Sequence, residues 1–320
     1  MPVPDERVRV TSPAMVRQRT ATATSQFGSG KRESHDSTPF YERFAPPLIS
    51  SEERVEEPAA RDVIFEGDAR EITDEQVADR SVALLVTSPP YFAGKEYEID
   101  LAAGHVPSSY VDYLEMLRDV FSVCLRKLEP GGRMAINVAN LGRKPYRSLS
   151  ADVISILQDD LGMLMRGEII WQKARGAGGS CAWGSFRSPQ NPVLRDVTER
   201  VIVASKGRFD RALNRARRQA EGLPHQPTIP TEEFLEATID IWEIASESAR
   251  KVGHPAPFPV ALPRRLIELY TYKGDLVLDP FMGSGSTAVA AARSGRHYVG
   301  IETEPEYVEL ARTRLAGERA

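Results

Sequence analysis

The chain has 320 residues, of which 41% are hydrophobic and 27% charged, and its formal net charge is −4. That length can bury a substantial core in one large or two modest domains, and the charge argues against a uniformly basic nucleic-acid binder. Two distant cysteines, Cys124 and Cys181, do not support a disulfide framework or a cysteine-rich zinc site, and we predict no metal site. The N-terminus lacks a hydrophobic signal core, and no apolar run approaches the ~20 residues that span a bilayer. A cytoplasmic protein with no membrane partner is therefore expected.

The charge is unevenly distributed along the chain. Between Arg166 and Arg218 there are 12 Lys or Arg against 4 Asp or Glu, a balance of +8, so the remainder carries −12. A basic stretch of this kind fits a phosphate backbone as partner, and a solvated basic face is an equally simple interpretation.

Residues 1–58 are rich in Pro, Ser, Thr and charge, and we predict a mostly disordered N-terminal arm. A capping box, Ser109-x-x-Asp112, predicts that a helix begins there, and Pro130-Gly131-Gly132 ends it. The pattern predicts strands at 62–66, 82–86, 133–138, 168–173, 200–204, 276–279 and 298–302, and further helices at about 150–161, 259–272, from the glycine turn to about 294, and after 302. Strands that alternate with helices indicate an α/β protein with a mostly parallel sheet.

The stretch TSPPYF raises a separate question, because the strand Val82 to Val86 runs directly into two prolines. Prolines cannot extend a central strand, so Ser88-Pro89-Pro90-Tyr91 must leave the sheet as a stiff loop. Ligands of open α/β sheets bind at the ends of such strands. Taken alone, an ordinary Pro-Pro turn is an equally good interpretation.

The stretch VLDPFMGSGSTA predicts a strand, a tight turn and a helix start. Gly283 and Gly285 fit the pattern G-x-G-x-x-A, and Glu302 ends the next strand 19 residues after Gly283. This arrangement is typical of nucleotide-type cofactor sites, although glycines also permit close packing of a helix on a strand. NAD is the first candidate, but only 18 residues follow Glu302, so the other strands must come from upstream in a permuted sheet.

Together, TSPPYF, HPAPFP and DPFMGSGST, in this order, resemble the beta-class DNA amino-methyltransferases, of the N4-cytosine type found in restriction-modification systems. The resemblance covers roughly residues 62–316. It implies a circularly permuted, Rossmann-like methyltransferase sheet, mostly parallel with one antiparallel edge hairpin, plus a small target-recognition region. The implied parts are a catalytic half at 59–173, a target-recognition region at 174–253 that includes a core strand at 199–205, and a cofactor half at 254–320.

The resemblance also implies that S-adenosylmethionine is the cofactor. Glu302 matches the acid that binds ribose hydroxyls, Asp68 the carboxylate that meets the adenine amino group, and His254 with Phe258 the segment that closes over the methionine end. Asp68 as a turn residue and His254 as helix-entry packing remain alternatives. The full set of cofactor-binding candidates is Asp68, His254, Phe258, Asp279, Phe281, Gly283, Gly285, Thr287 and Glu302.

The implied reaction is transfer of a methyl group to an exocyclic amine of a base. This amine is a poor acceptor, because its lone pair is delocalised into the base ring. The Ser88 side chain and the Pro89 carbonyl can accept the two amine hydrogens while Pro90 fixes the backbone. Tyr91 offers a ring on which an extruded base can stack. In the family a serine at the first motif position favours cytosine N4, and adenine N6 is the alternative. Cytosine C5 methylation is set aside because the Pro-Cys pair is absent.

The resemblance implies double-stranded DNA as partner, a cognate restriction endonuclease, a monomer or homodimer, and a bacterial, nucleoid-associated location. The candidate DNA-binding residues are Lys173, Arg175, Trp183, Arg187, Arg211, Arg215 and Arg218. Trp183 can also be explained as local loop packing. Competing hypotheses are an NAD-dependent oxidoreductase on a permuted sheet, a methyltransferase for RNA or protein amides, and a silent DNA-binding module.

Overall fold

The computed structural model describes residues 48–90, 109–140, 145–173, 184–194, 197–247 and 259–319, which contain one eight-stranded sheet. Its strands are β1 (Val63–Glu66), β2 (Val82–Thr87), β3 (Leu128–Val138), β4 (Leu164–Gln172), β5 (Thr198–Ser205), β6 (Ile241–Glu243), β7 (Leu276–Asp279) and β8 (His297–Glu302). They lie in the order β1-β8-β7-β2-β3-β5-β4-β6.

Strand β5 alone runs against the others, because it pairs antiparallel with both β3 and β4 while the remaining pairs are parallel. Seven strands therefore end at the same edge, which we call the carboxyl edge, and β5 begins there. The opposite edge is called the amino edge. The predicted hairpin of β4 and β5 is confirmed, but it is not the outermost pair. The short strand β6, which the sequence pattern did not predict, lies outside β4.

Helices cover both faces of the sheet, as the alternating pattern predicts. They are α1 (Tyr110–Lys127), α2 (Leu149–Ser155), α3 (Arg215–Ala220), α4 (Thr231–Ala237), α5 (Ala261–Tyr270), α6 (Ser286–Arg293) and α7 (Pro305–Arg319), with a 3-10 turn at Ala69–Glu71 and a π-helical turn at Ile156–Asp160. Helix α1 begins as the capping box predicts, since the Ser109 hydroxyl accepts the Asp112 N–H at 3.1 Å. One apolar core packs α1 and α2 against the sheet, and a second packs α5, α6 and α7 on the other face.

The predicted boundary of the N-terminal arm at residue 58 is wrong for residues 48–58. This segment lies beside the residues that follow β5: the Ser50 N–H donates to the Gly207 carbonyl at 2.6 Å. Arg208 and Arg217 donate to the carbonyls of Glu52 and Glu53 at 3.0 and 2.7 Å. Residues 1–47 lie outside the described residues.

Within the described ranges, no helix is long and apolar enough to cross a membrane. The same residues contain no group of three or more His, Cys, Asp or Glu side chains that could hold a metal ion.

Candidate active site

The two motif-bearing strands, β2 and β7, lie side by side in the centre of the sheet. From this pair the chain order runs outward in opposite directions, through β8 on one side and β3 on the other, which makes it a topological switch point. The Thr87 hydroxyl at the end of β2 donates to Asp279 Oδ1 at the end of β7, with a separation of 2.6 Å. The two predicted motifs, 192 residues apart in the chain, therefore meet at the carboxyl edge.

The glycine turn after β7 requires glycine at two positions. Gly283 and Gly285 have φ values of 51° and 82°, in the left-handed region that favours glycine. A Cβ atom on Gly285 would also lie 2.8 Å from the Cβ of Ala311 in α7. The turn therefore brings bare backbone to the crevice and starts α6 directly behind it, as a site for close approach of a ligand requires.

Glu302, at the end of β8, faces this turn. Its Oε2 accepts the Gly283 N–H at 2.6 Å, and its Oε1 accepts the Glu304 N–H at 3.0 Å. Burial raises the pKa of Glu302, and these backbone N–H groups oppose the rise. The predicted acid is thus fixed beside the predicted glycine.

Asp279 is fully buried, with 0% exposure. Its Oδ1 accepts from the Thr87 hydroxyl and from the Phe281 N–H, the latter at 3.1 Å. Its Oδ2 accepts no hydrogen bond from any residue that the structure describes. Burial raises the pKa of Asp279 to about 6, although the hydrogen bonds from the Thr87 hydroxyl and the Phe281 N–H oppose the rise. A buried carboxylate oxygen without a donor fits a cationic ligand, and S-adenosylmethionine carries both a sulfonium and an ammonium group.

Asp68 follows β1 at the same edge, where the Gly67 N–H donates to the Glu302 carbonyl at 2.9 Å. Its carboxylate accepts the Arg70 N–H at 2.8 Å and forms an ion pair with the Arg70 guanidinium. The turn-residue interpretation of Asp68 therefore has direct support, and a contact with the adenine amino group would have to be shared with Arg70. His254 and Phe258 lie outside the described residues.

The proline loop after β2 is held from both sides. The Ser88 hydroxyl donates to the Asn137 backbone carbonyl of β3 at 3.2 Å. The Tyr113 hydroxyl of α1, fully buried, donates to the Pro90 carbonyl at 2.7 Å. Pro89 is buried between these contacts, so the acceptors of the motif have a fixed position. Tyr91 lies outside the described residues.

Two polar residues of this site, Asn137 and Glu199, were missed by the sequence analysis. The Asn137 Nδ2 group lies 3.4 Å from Ser88 Oγ and donates to Glu199 Oε2 at 2.5 Å. Glu199 in turn forms an ion pair with Lys173. A signal was present, since an amide near the end of one apolar strand, β3, and an acid near the start of another, β5, are unusual in a sheet interior.

The candidate DNA-binding residues fall into separate groups. Lys173 lies at the carboxyl edge, directly after β4, and Arg187 lies in the segment that joins β4 to β5. In this segment the Ser185 N–H donates a hydrogen bond to the Asn191 carbonyl at 2.9 Å, and the neighbouring Phe186 is 68% exposed. Arg175 and Trp183 lie outside the described residues.

The predicted DNA contacts of Arg211 and Arg218 are wrong. Both side chains are buried and form ion pairs with Asp275, and Arg211 also pairs with Glu129. They follow β5, whose reversed direction carries the chain to the amino edge, away from Ser88. Arg215, on the exposed part of the same segment, donates to Gln226 at 3.2 Å and is also at that edge.

Comparison with known proteins agrees with this geometry. The N6_N4_Mtase family model, described as DNA methylase, matches residues 82–313. Type II methyltransferase M.Cfr9I of Citrobacter freundii is 30% identical over 285 residues, covering 80% of this chain and 88% of that protein. TTHA0409 of Thermus thermophilus, solved in complex with S-adenosyl-L-methionine, is 30% identical with a TM-score of 0.59, covering 80% of this chain and 95% of that one.

A further solved structure, the PvuII DNA methyltransferase (cytosine-N4-specific), shares the fold with a TM-score of 0.59 at 22% identity, covering 81% of this chain and 89% of that one. In this chain the proline loop precedes the glycine turn, and the sheet has the permuted Rossmann-like topology. The chain therefore belongs to the DNA methylase family, and it is an S-adenosyl-L-methionine-dependent DNA methyltransferase of the beta class.

Proposed function

We propose that this enzyme methylates the exocyclic N4 amine of a flipped cytosine at a specific site in duplex DNA. The observation that carries the proposal is the position of Ser88. It stands at the switch point beside the cofactor turn, and its hydroxyl hydrogen is directed to the Asn137 carbonyl. Toward a substrate the hydroxyl therefore acts as an acceptor, which is what an amine N–H requires.

When bound, the cofactor supplies a methyl group that is already electrophilic. The tasks of the protein are then to hold the base amine at the correct angle and to exclude water. The Ser88 hydroxyl and the Pro89 carbonyl accept the amine hydrogens, which directs the nitrogen lone pair toward the methyl group. Thr87 and Tyr113 fix the two ends of this loop, and Tyr91 provides the stacking surface for the base.

Asp279 and Glu302 hold the cofactor in this proposal. Asp279 offers a buried carboxylate to its cationic part, and Glu302 offers acceptors to its ribose hydroxyls. Gly283 and Gly285 allow the backbone to approach closely, while Thr287 and Phe281 line the same turn. Asp68, beside Glu302, completes the site at the adenine end, with His254 and Phe258 closing over the methionine end.

The choice of cytosine over adenine depends on Ser88, because members of this family with an aspartate at that position usually act on adenine. Adenine N6 methylation remains the second candidate, since every other role in the site is the same. The Type II methyltransferase relatives support a role in restriction-modification, with a cognate endonuclease as the functional partner.

The DNA surface in this proposal lies at the carboxyl edge, around Lys173 and the segment 184–194. Phe186 and Arg187 project from a short turn there, and an aromatic or arginine side chain can fill the gap that a flipped base leaves. Arg175 and Trp183 precede this turn in the chain. The amino-edge arginines are not part of this surface.

The test is to incubate the purified protein with labelled S-adenosylmethionine and unmethylated genomic DNA, then identify the labelled nucleoside by mass. N4-methylcytosine would support the proposal, and N6-methyladenine would show that Ser88 does not select the base. Ser88→Ala should lower kcat at least ~100-fold while the cofactor Kd stays within about twofold. Ser155→Ala, an exposed serine on α2, is the control and should change neither.

A further inference from the structure

A chain of buried polar contacts leads from the acceptor loop into the hairpin of β4 and β5. Asn137 is 2% exposed and Glu199 is 5% exposed, so neither is an ordinary surface residue. The antiparallel register places Asn137 opposite Val201. Glu199, two residues earlier on β5, therefore lies on the same face of the sheet as Asn137, within reach across the strand pair.

The carboxylate of Glu199 decides which way the Asn137 amide points. A carboxylate can only accept hydrogen bonds, so the group 2.5 Å from its Oε2 must be the amide nitrogen of Asn137 and not the amide oxygen. The same Nδ2 group lies 3.4 Å from Ser88 Oγ. One amide hydrogen can thus serve Glu199 and the other can approach the Ser88 oxygen.

This orientation constrains the Ser88 hydroxyl. Because the Asn137 side chain presents a donor to Ser88 Oγ, the hydroxyl hydrogen is directed to the Asn137 backbone carbonyl at 3.2 Å. If the amide were reversed, its oxygen would compete for that hydrogen, and the hydroxyl would lose its preferred direction. Lys173 pairs with the second carboxylate oxygen of Glu199 and so balances a charge that is otherwise costly to bury.

We propose that Glu199 is a positioning residue, which acts through Asn137 to keep the Ser88 hydroxyl in its accepting orientation. Lys173 supplies the counter-charge of Glu199. In this proposal the ion pair with Glu199 takes the place of the phosphate contact that the sequence predicted for Lys173. The inference rests on the proposed function, because it assigns a task to Ser88 in accepting the amine hydrogen. It also links the base of the target-recognition segment to the acceptor loop.

The experiment is a double-mutant cycle with Glu199→Gln and Ser88→Ala in the full-length protein, measuring kcat, the DNA KM and the cofactor Kd. Glu199→Gln alone should lower kcat by roughly 100-fold while the cofactor Kd and the DNA KM stay within about threefold. In the Ser88→Ala background the same change should cost less than about threefold, because the group through which it acts is already absent. Full additivity of the two losses would overturn the inference, as would a kcat within about twofold of wild type.

Glu129→Gln is the matched control, since Glu129 is another buried carboxylate in an ion pair, at the amino edge. It should lower the melting temperature and leave kcat per folded molecule unchanged. If Glu199→Gln does not fold, Asn137→Ala tests the same link and keeps the ion pair of Lys173 with Glu199; an unchanged kcat there would equally overturn the inference. Wild-type protein that methylates no DNA would instead refute the proposed function, so the two failures are distinguishable.

Discussion

Asp279 gives a strong prediction about stability, because its buried carboxylate at the glycine turn forms no ion pair with a cationic side chain among the residues that the structure describes. Its pKa is raised from 3.8 to about 6, mainly by burial. The folded-state pKa thus lies roughly 2 above the unfolded-state pKa. At neutral pH the ionised carboxylate therefore destabilises the cofactor-free fold by about 3 kcal/mol. Asp279→Asn keeps an acceptor for Thr87 but buries an NH2 group without a partner, which costs roughly 1 kcal/mol or more.

We therefore expect Asp279→Asn to be more stable than the wild-type protein at pH 7.5 by about 1–2 kcal/mol. For a protein of this size the melting temperature should rise by roughly 2–3 °C. The same substitution should weaken cofactor binding about 10–100-fold, since a charge-assisted contact of roughly 1.5–3 kcal/mol is lost. Stability and function thus oppose each other at this position.

The pH dependence has a defined sign. Because the folded-state pKa lies above the unfolded value of 3.8, the native state binds the proton more tightly, and wild-type stability falls as pH rises from about 4 to about 6. The advantage of Asp279→Asn should accordingly be absent near pH 4 and complete above about pH 6.

Calorimetric melting of cofactor-free protein across this pH range, with cofactor titration at pH 7.5, measures both effects. Asp275→Asn is the matched control: it is also buried, but Arg211 and Arg218 outweigh its burial and lower its pKa. Its carboxylate stabilises the fold above pH 3.8 and loses that effect as pH falls, so its substitution should destabilise at pH 7.5. A loss of stability in Asp279→Asn that does not vary with pH would refute the reasoning.

Other substitutions test the turn, the amino edge and the recognition segment. Gly285→Ala should lose roughly 1–3 kcal/mol of stability and most cofactor binding, because φ at this position is positive and the new Cβ would contact α7. The control is Gly274→Ala, where φ is also positive but the Cβ would meet open space. It should lose only about 1 kcal/mol in the same melting assay. Arg218→Gln should destabilise the fold by about 1.5–3 kcal/mol, since Asp275 loses one of its two buried arginine partners and keeps only Arg211. Arg215→Ala should change neither stability nor the salt slope of DNA binding. Phe186→Ala should change stability by less than about 0.5 kcal/mol, because this side chain is exposed. It should lower the fluorescence of a 2-aminopurine placed at the target base, because fewer target bases would be flipped out of the stack. Unchanged fluorescence would show that Phe186 takes no part in base flipping.

Much of this site was predictable because its signals are local in the chain. The glycine turn needs residues at positive φ within a few positions, and the proline loop needs rigid residues directly after a strand. Glu302 ends the strand after the turn, so its approach to Gly283 follows from the spacing of a strand-turn-helix unit. The α/β class, the hairpin of β4 and β5 and the capping of α1 follow from the same kind of local pattern.

The arginines after β5 show where local pattern fails. Their helical spacing and positive charge resemble a phosphate-binding face, but the direction of β5 decides which edge of the sheet they reach, and a strand direction is set by its neighbours. Once at the amino edge, Arg211 and Arg218 meet Glu129 and Asp275, residues 82 and 57 positions away.

The sequence by itself thus predicted the proline loop, the glycine turn and their order in the chain. The tertiary structure alone decided which charges face the substrate and which support the fold. It also brought Glu199 and Asn137, 62 positions apart, to the acceptor hydroxyl. The physical reason is that a carboxylate or a guanidinium has the same local signature whether buried or exposed, and only the packing of distant strands supplies the partner that makes burial tolerable.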